Sequence, residues 1–249
     1  MGWDLFGWSF SVIRKHKQLI WFPIFSGGAG LVAVLLWFLL RPQSLLWLLP
    51  GYFAVSFVIV FFNCALACCA QAYFAGRDAS IGYGLREAAA RLAPILGWAA
   101  LSTTVGFLLN AIEGSASWAA KSARFVFGVA WGMATYLVVP VLIAEDRGPV
   151  ASVRRSAQLV RDTWSDQIVA EIRFGWRGLV FFIPCLVIGA MGANGYPALL
   201  PIAAIWFLLA MAVLTAARGI FEVALYRYAA LHEVPSDWSP GVRRIIDSH

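Results

Sequence analysis

The sequence predicts an all-α fold, a polytopic membrane helix bundle of six transmembrane helices with amphipathic helices on its cytoplasmic face. Three observations support this fold class. Hydrophobic residues make up 61% of the 249 residues, against roughly 45–50% in soluble proteins. Charged residues make up only 13%, which is about half of the soluble average. Five stretches carry no charged side chain at all, and the longest of them runs from Gly178 to Ala217.

The uncharged stretches are long enough to cross a membrane. A spanning helix needs about 20 apolar residues, because the hydrocarbon core is about 30 Å thick and each residue rises about 1.5 Å. The longest stretch holds two helices, since the turn sequence Asn194-Gly195-Tyr196-Pro197 divides it. The predicted spans are 19–40, 51–75, 94–113, 125–144, 178–195 and 199–221. They predict a single integral membrane domain over residues 1–249.

The distribution of basic residues predicts the orientation of these spans. Of 19 lysines and arginines, only Arg41, Lys121 and Arg124 fall in the segments that would lie outside if the N-terminus is cytoplasmic. Basic residues concentrate on the cytoplasmic side of membrane proteins. We therefore predict that both termini are cytoplasmic. The net charge of +6 then indicates membrane lipids as partners through anionic head groups, and it does not indicate nucleic acid.

Three segments on the predicted cytoplasmic side have the apolar spacing of amphipathic helices. The first is Trp3–Lys17, and the second runs from Ile81 to Leu92 with Asp78 or Ser80 as its cap. The third follows Pro149, and its apolar stripe is Val150, Val153, Ala157 and Val160. Each stripe is expected to lie against the bundle or the membrane surface.

Candidate functional residues are few, because the uncharged stretches of the first five predicted spans contain no Asp, Glu, Lys, Arg or His. This pattern does not favour coupling to protons or sodium, which usually requires such residues at depth, but it leaves neutral and lipid substrates open. The best polar cluster lies at the predicted inner face, where Arg218 and Glu222 stand four residues apart and can form a pair. The cluster also includes the following residues: Glu171, Arg173, Arg177 and Asn63. It is either an interfacial network that anchors the helix ends, which the pattern favours, or a site for a substrate or lipid head group.

Small residues predict close helix packing at two places. Gly128 and Gly132 form a GxxxG motif in the fourth span, and Ser26 and Gly30 form a similar pair in the first. Such pairs let helix backbones approach closely, either within the chain, which we favour, or between subunits of a possible homo-oligomer.

Residues for metal or enzyme chemistry are not indicated. Cys64 and Cys68 share a helix face, but no histidine or carboxylate stands at ligand spacing beside them, so they are interpreted as packing residues. No motif of hydrolases, phosphate-binding loops or zinc enzymes occurs. We predict no cofactor, no metal and no enzymatic activity.

The stretch Gly148–Trp164, GPVASVRRSAQLVRDTW, carries a resemblance to a known family. With Ser9–Pro23, Phe61–Leu66 and Phe221–Tyr228, it resembles an uncharacterised family of prokaryotic six-span integral membrane proteins, known only as a domain of unknown function. The resemblance implies a six-span fold in the prokaryotic cytoplasmic (inner) membrane. It implies no activity.

Function is therefore predicted only as a class. The leading hypothesis is a permease-like or lipid- or small-molecule-binding membrane component. The alternative is a structural or regulatory membrane protein that acts by oligomerisation or lipid sensing, and an intramembrane enzyme is third. A cavity lined by Asn63, Arg218 and Glu222 would favour the first hypothesis.

Overall fold

The computed structural model describes residues 10–40, 48–77, 80–113, 118–163 and 179–233. The described residues form helices and no strands. Residues 10–15 are helical, and the α-helices described from end to end are, in chain order, α1 (Trp21–Leu39), α2 (Leu48–Phe74), α3 (Ile81–Ala90), α4 (Leu92–Glu113), α5 (Trp118–Ala134), α6 (Val138–Ala144), α7 (Pro149–Thr163), α8 (Ile183–Ala193) and α9 (Leu200–Leu231). Short 3-10 turns precede α1, α8 and α9 at Lys17–Ile20, Leu179–Phe182 and Pro197–Leu199. The all-α fold class is thereby confirmed.

Within the part of the chain that the structure describes, five helical segments are long and apolar enough to cross a membrane: Lys17–Leu39, Leu49–Phe74, Leu92–Asn110, Lys121–Ala144 and Pro197–Leu231. They correspond to five of the six predicted spans. The remaining predicted span, 178–195, contains α8, which has only 11 residues and a length of about 16 Å at 1.5 Å per residue. Pro184 lies in the first turn of α8. Because proline has no N–H to donate, it favours the start of an α-helix at this position over a longer continuous one. The structure therefore supports a multi-pass membrane protein and leaves a count of six spans unconfirmed.

Helix α2 is the centre of the bundle, and it packs against α1, α3, α4, α6 and α9. The amphipathic helix α7 packs across α4, α5, α6 and α9. One end of the bundle contains the C-terminal ends of α2, α6 and α9 together with α3 and α7, and we call it the charged end. We call the end where α4 finishes and α5 begins the open end.

Local signals in the sequence account for several helix boundaries. Ser80 caps α3, because its hydroxyl accepts a hydrogen bond of 3.1 Å from the N–H of Tyr83. Pro149 opens α7, as expected for a residue without an N–H. The turn predicted between α8 and α9 is present, and Gly195 adopts a φ of +122° there, which side chains disfavour. Helix α9 continues to Leu231, well past the predicted end of its span.

The predicted face of α7 is correct in part. Val160 is buried and Val153 and Ala157 are half-buried, but Val150 is 63% exposed, and Ser152, Ser156 and Leu159 are buried instead. The buried face is rotated relative to the predicted stripe, because it includes these two serines. The Ser152 hydroxyl donates to the Arg147 carbonyl at 3.4 Å, and a small hydroxyl with a hydrogen bond can be buried at little cost.

Candidate functional site

A polar cavity of about 340 Å³ lies between α2, α5, α6 and α9. Its size falls within the usual range of small-molecule sites, about 300–1,000 Å³. Its polar lining consists of Asn63, Thr135, Tyr136, Thr215, Arg218 and Glu222. Three residues of the cluster predicted from the sequence, Asn63, Arg218 and Glu222, thus meet at one cavity.

A break in a membrane helix creates one wall of this cavity. The fourth predicted span is not continuous: α5 ends at Ala134 and α6 begins at Val138. Pro140 explains the break, because it has no N–H to donate to the Tyr136 carbonyl and its ring would clash with that group. The turn is instead held by the Val138 N–H, which donates to the Thr135 carbonyl at 3.1 Å.

The break is secured from outside the helix by Ser156 of α7. The buried Ser156 hydroxyl accepts a hydrogen bond of 3.0 Å from the Leu137 N–H. An interrupted helix is tolerated at membrane depth when neighbouring groups satisfy its backbone in this way. Interrupted helices are also a common way to build binding sites inside membrane proteins.

Arg218 and Glu222 form the predicted ion pair on α9. The Arg218 Nε atom lies 2.8 Å from Glu222 Oε1. The Glu222 side chain is 15% exposed, whereas the Arg218 side chain is 63% exposed. The guanidinium carbon of Arg218 also lies 5.7 Å from the centroid of the Tyr136 ring, within the range of a cation–π contact. The pair therefore leaves the carboxylate enclosed and the guanidinium accessible.

The structure does not bring the whole predicted cluster together. Glu171, Arg173 and Arg177 lie outside the described residues. A different charged group is present at the charged end instead, centred on Glu145. Its carboxylate lies 2.6 Å from Arg147 Nε and 3.1 Å from Arg155 Nε, and it accepts a hydrogen bond of 3.3 Å from the Tyr226 hydroxyl. This group joins α6, α7 and α9.

The predicted packing within the chain at the small-residue motifs is not found among the described residues. A methyl group added to Gly128, Gly132 or Gly30 would meet no atom within 4 Å. Ser26, the partner of Gly30, is half-buried. Gly132 lines the polar cavity and Gly128 lines a second cavity, so these glycines leave space open rather than closing it. Close helix packing occurs instead at Gly84.

Sequence reasoning missed Tyr136, Thr135 and Ser156. Tyr136 lies in the middle of an apolar span, and Ser156 lies on a helix whose buried face was predicted from the spacing of its valines. Pro140 is the signal that could have located the site, because an interior proline predicts a break about one turn earlier.

The cysteines occupy packing positions. Cys64, Cys68 and Cys69 are buried on α2 within the main hydrophobic cluster. Across the described residues, no three histidine, cysteine or acidic side chains are grouped so that they could hold a metal ion. The chemistry that the polar cavity offers is thus recognition, through one ion pair, two hydroxyl groups of threonine, one phenol and one amide.

Comparison with known proteins gives one result. Neither the curated proteins nor the solved structures contain a match to the chain. A family model matches residues 44–234, a region that includes every helix from α2 to α9 and both cavities. The chain belongs to DUF6159, a family of unknown function.

Proposed function

We propose that this protein is a permease-like membrane component that binds a small polar molecule or a lipid head group in the polar cavity. The observation that carries the proposal is that Asn63, Tyr136, Arg218 and Glu222 line one cavity between four helices. An ion pair that served only as an anchor would have no need of a cavity beside it. A charged pair flanked by neutral hydrogen-bonding groups suits a neutral or dipolar ligand, because both signs of charge are available.

The proposal extends to location and mode of action. We place the protein in a prokaryotic cytoplasmic membrane with both termini in the cytoplasm, on the basis of the basic-residue asymmetry. Its role is binding or passage rather than catalysis.

The experiment that tests this proposal reverses the ion pair. The double variant Arg218→Glu/Glu222→Arg keeps a pair of opposite charges four residues apart, which contributes about 0.2–0.5 kcal/mol on a helix surface. It also places a carboxylate where the guanidinium lies against Tyr136. We expect the variant to remain folded and to lose a small molecule or lipid that co-purifies with the native protein. Native mass spectrometry in mild detergent measures both properties together.

Two controls make the result decisive. The single variants Arg218→Gln and Glu222→Gln separate loss of the pair from reversal of its direction. A reversed variant that retains the same bound mass as the native protein would show that the pair is only an anchor. A native protein that carries no bound mass would also count against the proposal.

A second function, assembly of several copies, is favoured by one observation. Helix α1 presents Gly27, Gly28 and Gly30 to open space, with no described atom within 4 Å of an added methyl group. Small residues in membrane helices commonly form contacts between helices. If copies assemble through this face, Gly28→Leu should reduce the copy number in the same mass spectra while the bound ligand remains.

A further inference from the structure

The ion pair of the polar cavity engages only one edge of each charged group. Arg218 and Glu222 are joined by a hydrogen bond of 2.8 Å from the Arg218 Nε atom to Glu222 Oε1. Within the part of the chain that the structure describes, Glu222 Oε2 and the two Nη atoms of Arg218 form no further hydrogen bond. The guanidinium also lies against the Tyr136 ring, a contact that does not use its N–H donors. One carboxylate oxygen and four N–H groups therefore remain for a ligand.

Neutral hydrogen-bonding groups stand beside the pair. Asn63 and Thr215 line the same cavity, and they add an amide and a hydroxyl. Helix α9 is held close to α2 at this level, because a methyl group on Gly219 would lie 2.5 Å from Leu66 Cδ2. This close approach keeps the amide of α2 next to the charges of α9.

The accessible guanidinium lies within a segment that is long and apolar enough to cross the membrane. Arg218 belongs to Pro197–Leu231, and its side chain is 63% exposed. Ionisable side chains in such segments are costly and are paired. Glu222 pairs with Nε alone, so the exposed Nη edge favours an anionic group that reaches it from outside the bundle.

We propose that the polar cavity binds a zwitterion of the phosphoethanolamine type, in which the phosphate contacts the Nη edge of Arg218 and the primary ammonium group contacts Glu222 Oε2. The inference rests on the function proposed for this cavity and names its class of ligand. Arginine pairs with phosphate through a planar fork of donors, and hydrogen bonds between charged groups are about twice as strong as neutral ones. The short linker between the two charges of the ligand matches two opposite charges that are themselves in direct contact.

Other charge types fit the cavity less well. A ligand with only an anionic group would meet the Glu222 carboxylate, and a ligand with only a cationic group would meet the Arg218 guanidinium. A quaternary ammonium group has no N–H to donate to Glu222 Oε2. The cavity should therefore distinguish a primary from a quaternary ammonium group on otherwise identical phosphates.

The test measures the midpoint of thermal unfolding of the full chain in detergent during titration with four probes. These are short-chain phosphatidylethanolamine, phosphatidylcholine and phosphatidylglycerol, and free phosphoethanolamine. We expect phosphatidylethanolamine to bind at least about tenfold more tightly than either other lipid, because a hydrogen bond to a charged group changes affinity by about this factor. A similar effect of free phosphoethanolamine would assign the site to a soluble zwitterion, and an effect of the lipid alone would assign it to a lipid head group.

Single variants separate the two halves of the site. Glu222→Gln should abolish the preference for phosphatidylethanolamine over phosphatidylcholine and strengthen binding of phosphatidylglycerol, because it removes the negative charge. Arg218→Gln should weaken binding of all three lipids. Glu87→Gln breaks a similar pair, since Glu87 lies 2.8 Å from Arg91 and four residues before it, but Glu87 does not line the polar cavity. This control should leave the preference unchanged.

Three results would overturn the proposal: equal affinity for phosphatidylethanolamine and phosphatidylcholine, a preference that survives Glu222→Gln, or no shift with any probe. Native mass spectrometry then separates the two levels of the account. A bound mass that disappears when the pair is reversed would leave the proposed function standing with a different class of ligand. The absence of such a mass would count against the proposed function as well.

Discussion

The charged end and the open end of the bundle use the same kinds of residue for different purposes. On α2, every residue from Cys64 to Ala70 is buried, whereas none from Tyr52 to Ile59 is. The fourth span shows the same contrast: no described side chain of α5 is buried, but Val138 and 140–143 of α6 are. The charged end is thus packed against protein, and the open end presents its apolar side chains to the surrounding lipid.

Glycines illustrate what this difference means. At the charged end, a methyl group on Gly84 would lie 2.6 Å from the Ala65 carbonyl oxygen and 2.5 Å from Cys69 Sγ. At the open end, a methyl group on Gly128 would meet nothing within 4 Å. The same residue type therefore permits helix contact at one end and maintains a cavity at the other. A GxxxG motif alone does not distinguish these roles.

The cavities differ in charge as the ends differ in packing. The polar cavity contains its own counter-charge, since Arg218 and Glu222 are 2.8 Å apart. The described lining of the second cavity, at the open end, includes Lys121 and Arg124. The paired charges of the polar cavity suit a neutral or dipolar ligand.

The largest expected effect concerns which side of the membrane each end faces. A reporter that is active only in the cytoplasm should be active when fused after His249 and inactive when inserted in the loop that follows Leu40. The physical reason is the concentration of basic residues at the charged end. An inactive fusion at His249 with an active one after Leu40 would reverse the assignment of both ends.

The next largest effect is expected at Gly84, where α3 meets α2. Gly84→Ala should lower the free energy of unfolding by about 1–3 kcal/mol, as overpacking of a tight contact typically does, because the Ala65 backbone cannot move aside as a side chain can. The midpoint of thermal unfolding in detergent measures this change.

Gly82→Ala provides the matched control on the same helix. Its added methyl group would meet only the Ser80 hydroxyl, at 3.8 Å, so the variant should be neutral or more stable, because alanine favours helices by about 0.5–1 kcal/mol over glycine. Equal destabilisation of both variants would contradict the close contact described for the charged end.

An effect of similar size is expected from Ser156→Ala. Loss of the hydroxyl leaves the buried Leu137 N–H without this acceptor, which should cost about 1–3 kcal/mol and loosen the break between α5 and α6. Ser122→Ala removes a hydroxyl that bonds only within its own helix, to the Trp118 carbonyl, and should change the unfolding midpoint very little. If the two serine variants unfold at the same temperature, Ser156 does not secure the break.

Much of the fold follows from the sequence, because uncharged length and turn residues determine where membrane helices run. The ends of α2 and α4, the start of α9 and the cap at Ser80 agree with these signals to within a few residues. The break at 135–137 does not follow from hydropathy, since Tyr136 and Leu137 are as apolar in pattern as their neighbours. It depends on Pro140 and on a hydrogen bond to Ser156, 19 residues away from Leu137.

Only the part of the site that depends on local sequence could be predicted. The pairing of Arg218 with Glu222 follows from their spacing on one helix, whereas their meeting with Tyr136 and Asn63 depends on how three other helices pack. The contrast between Gly84 and Gly128 depends on what lies opposite each glycine, which no local pattern contains.

The most direct test compares Gly128→Leu with Gly132→Leu by native mass spectrometry in mild detergent. These variants add the same side chain one turn apart on one helix, and each is directed into a different cavity. We predict that Gly132→Leu loses the bound molecule of the polar cavity and that Gly128→Leu retains it. Loss of that bound mass from both variants, or from neither, would contradict binding in the polar cavity.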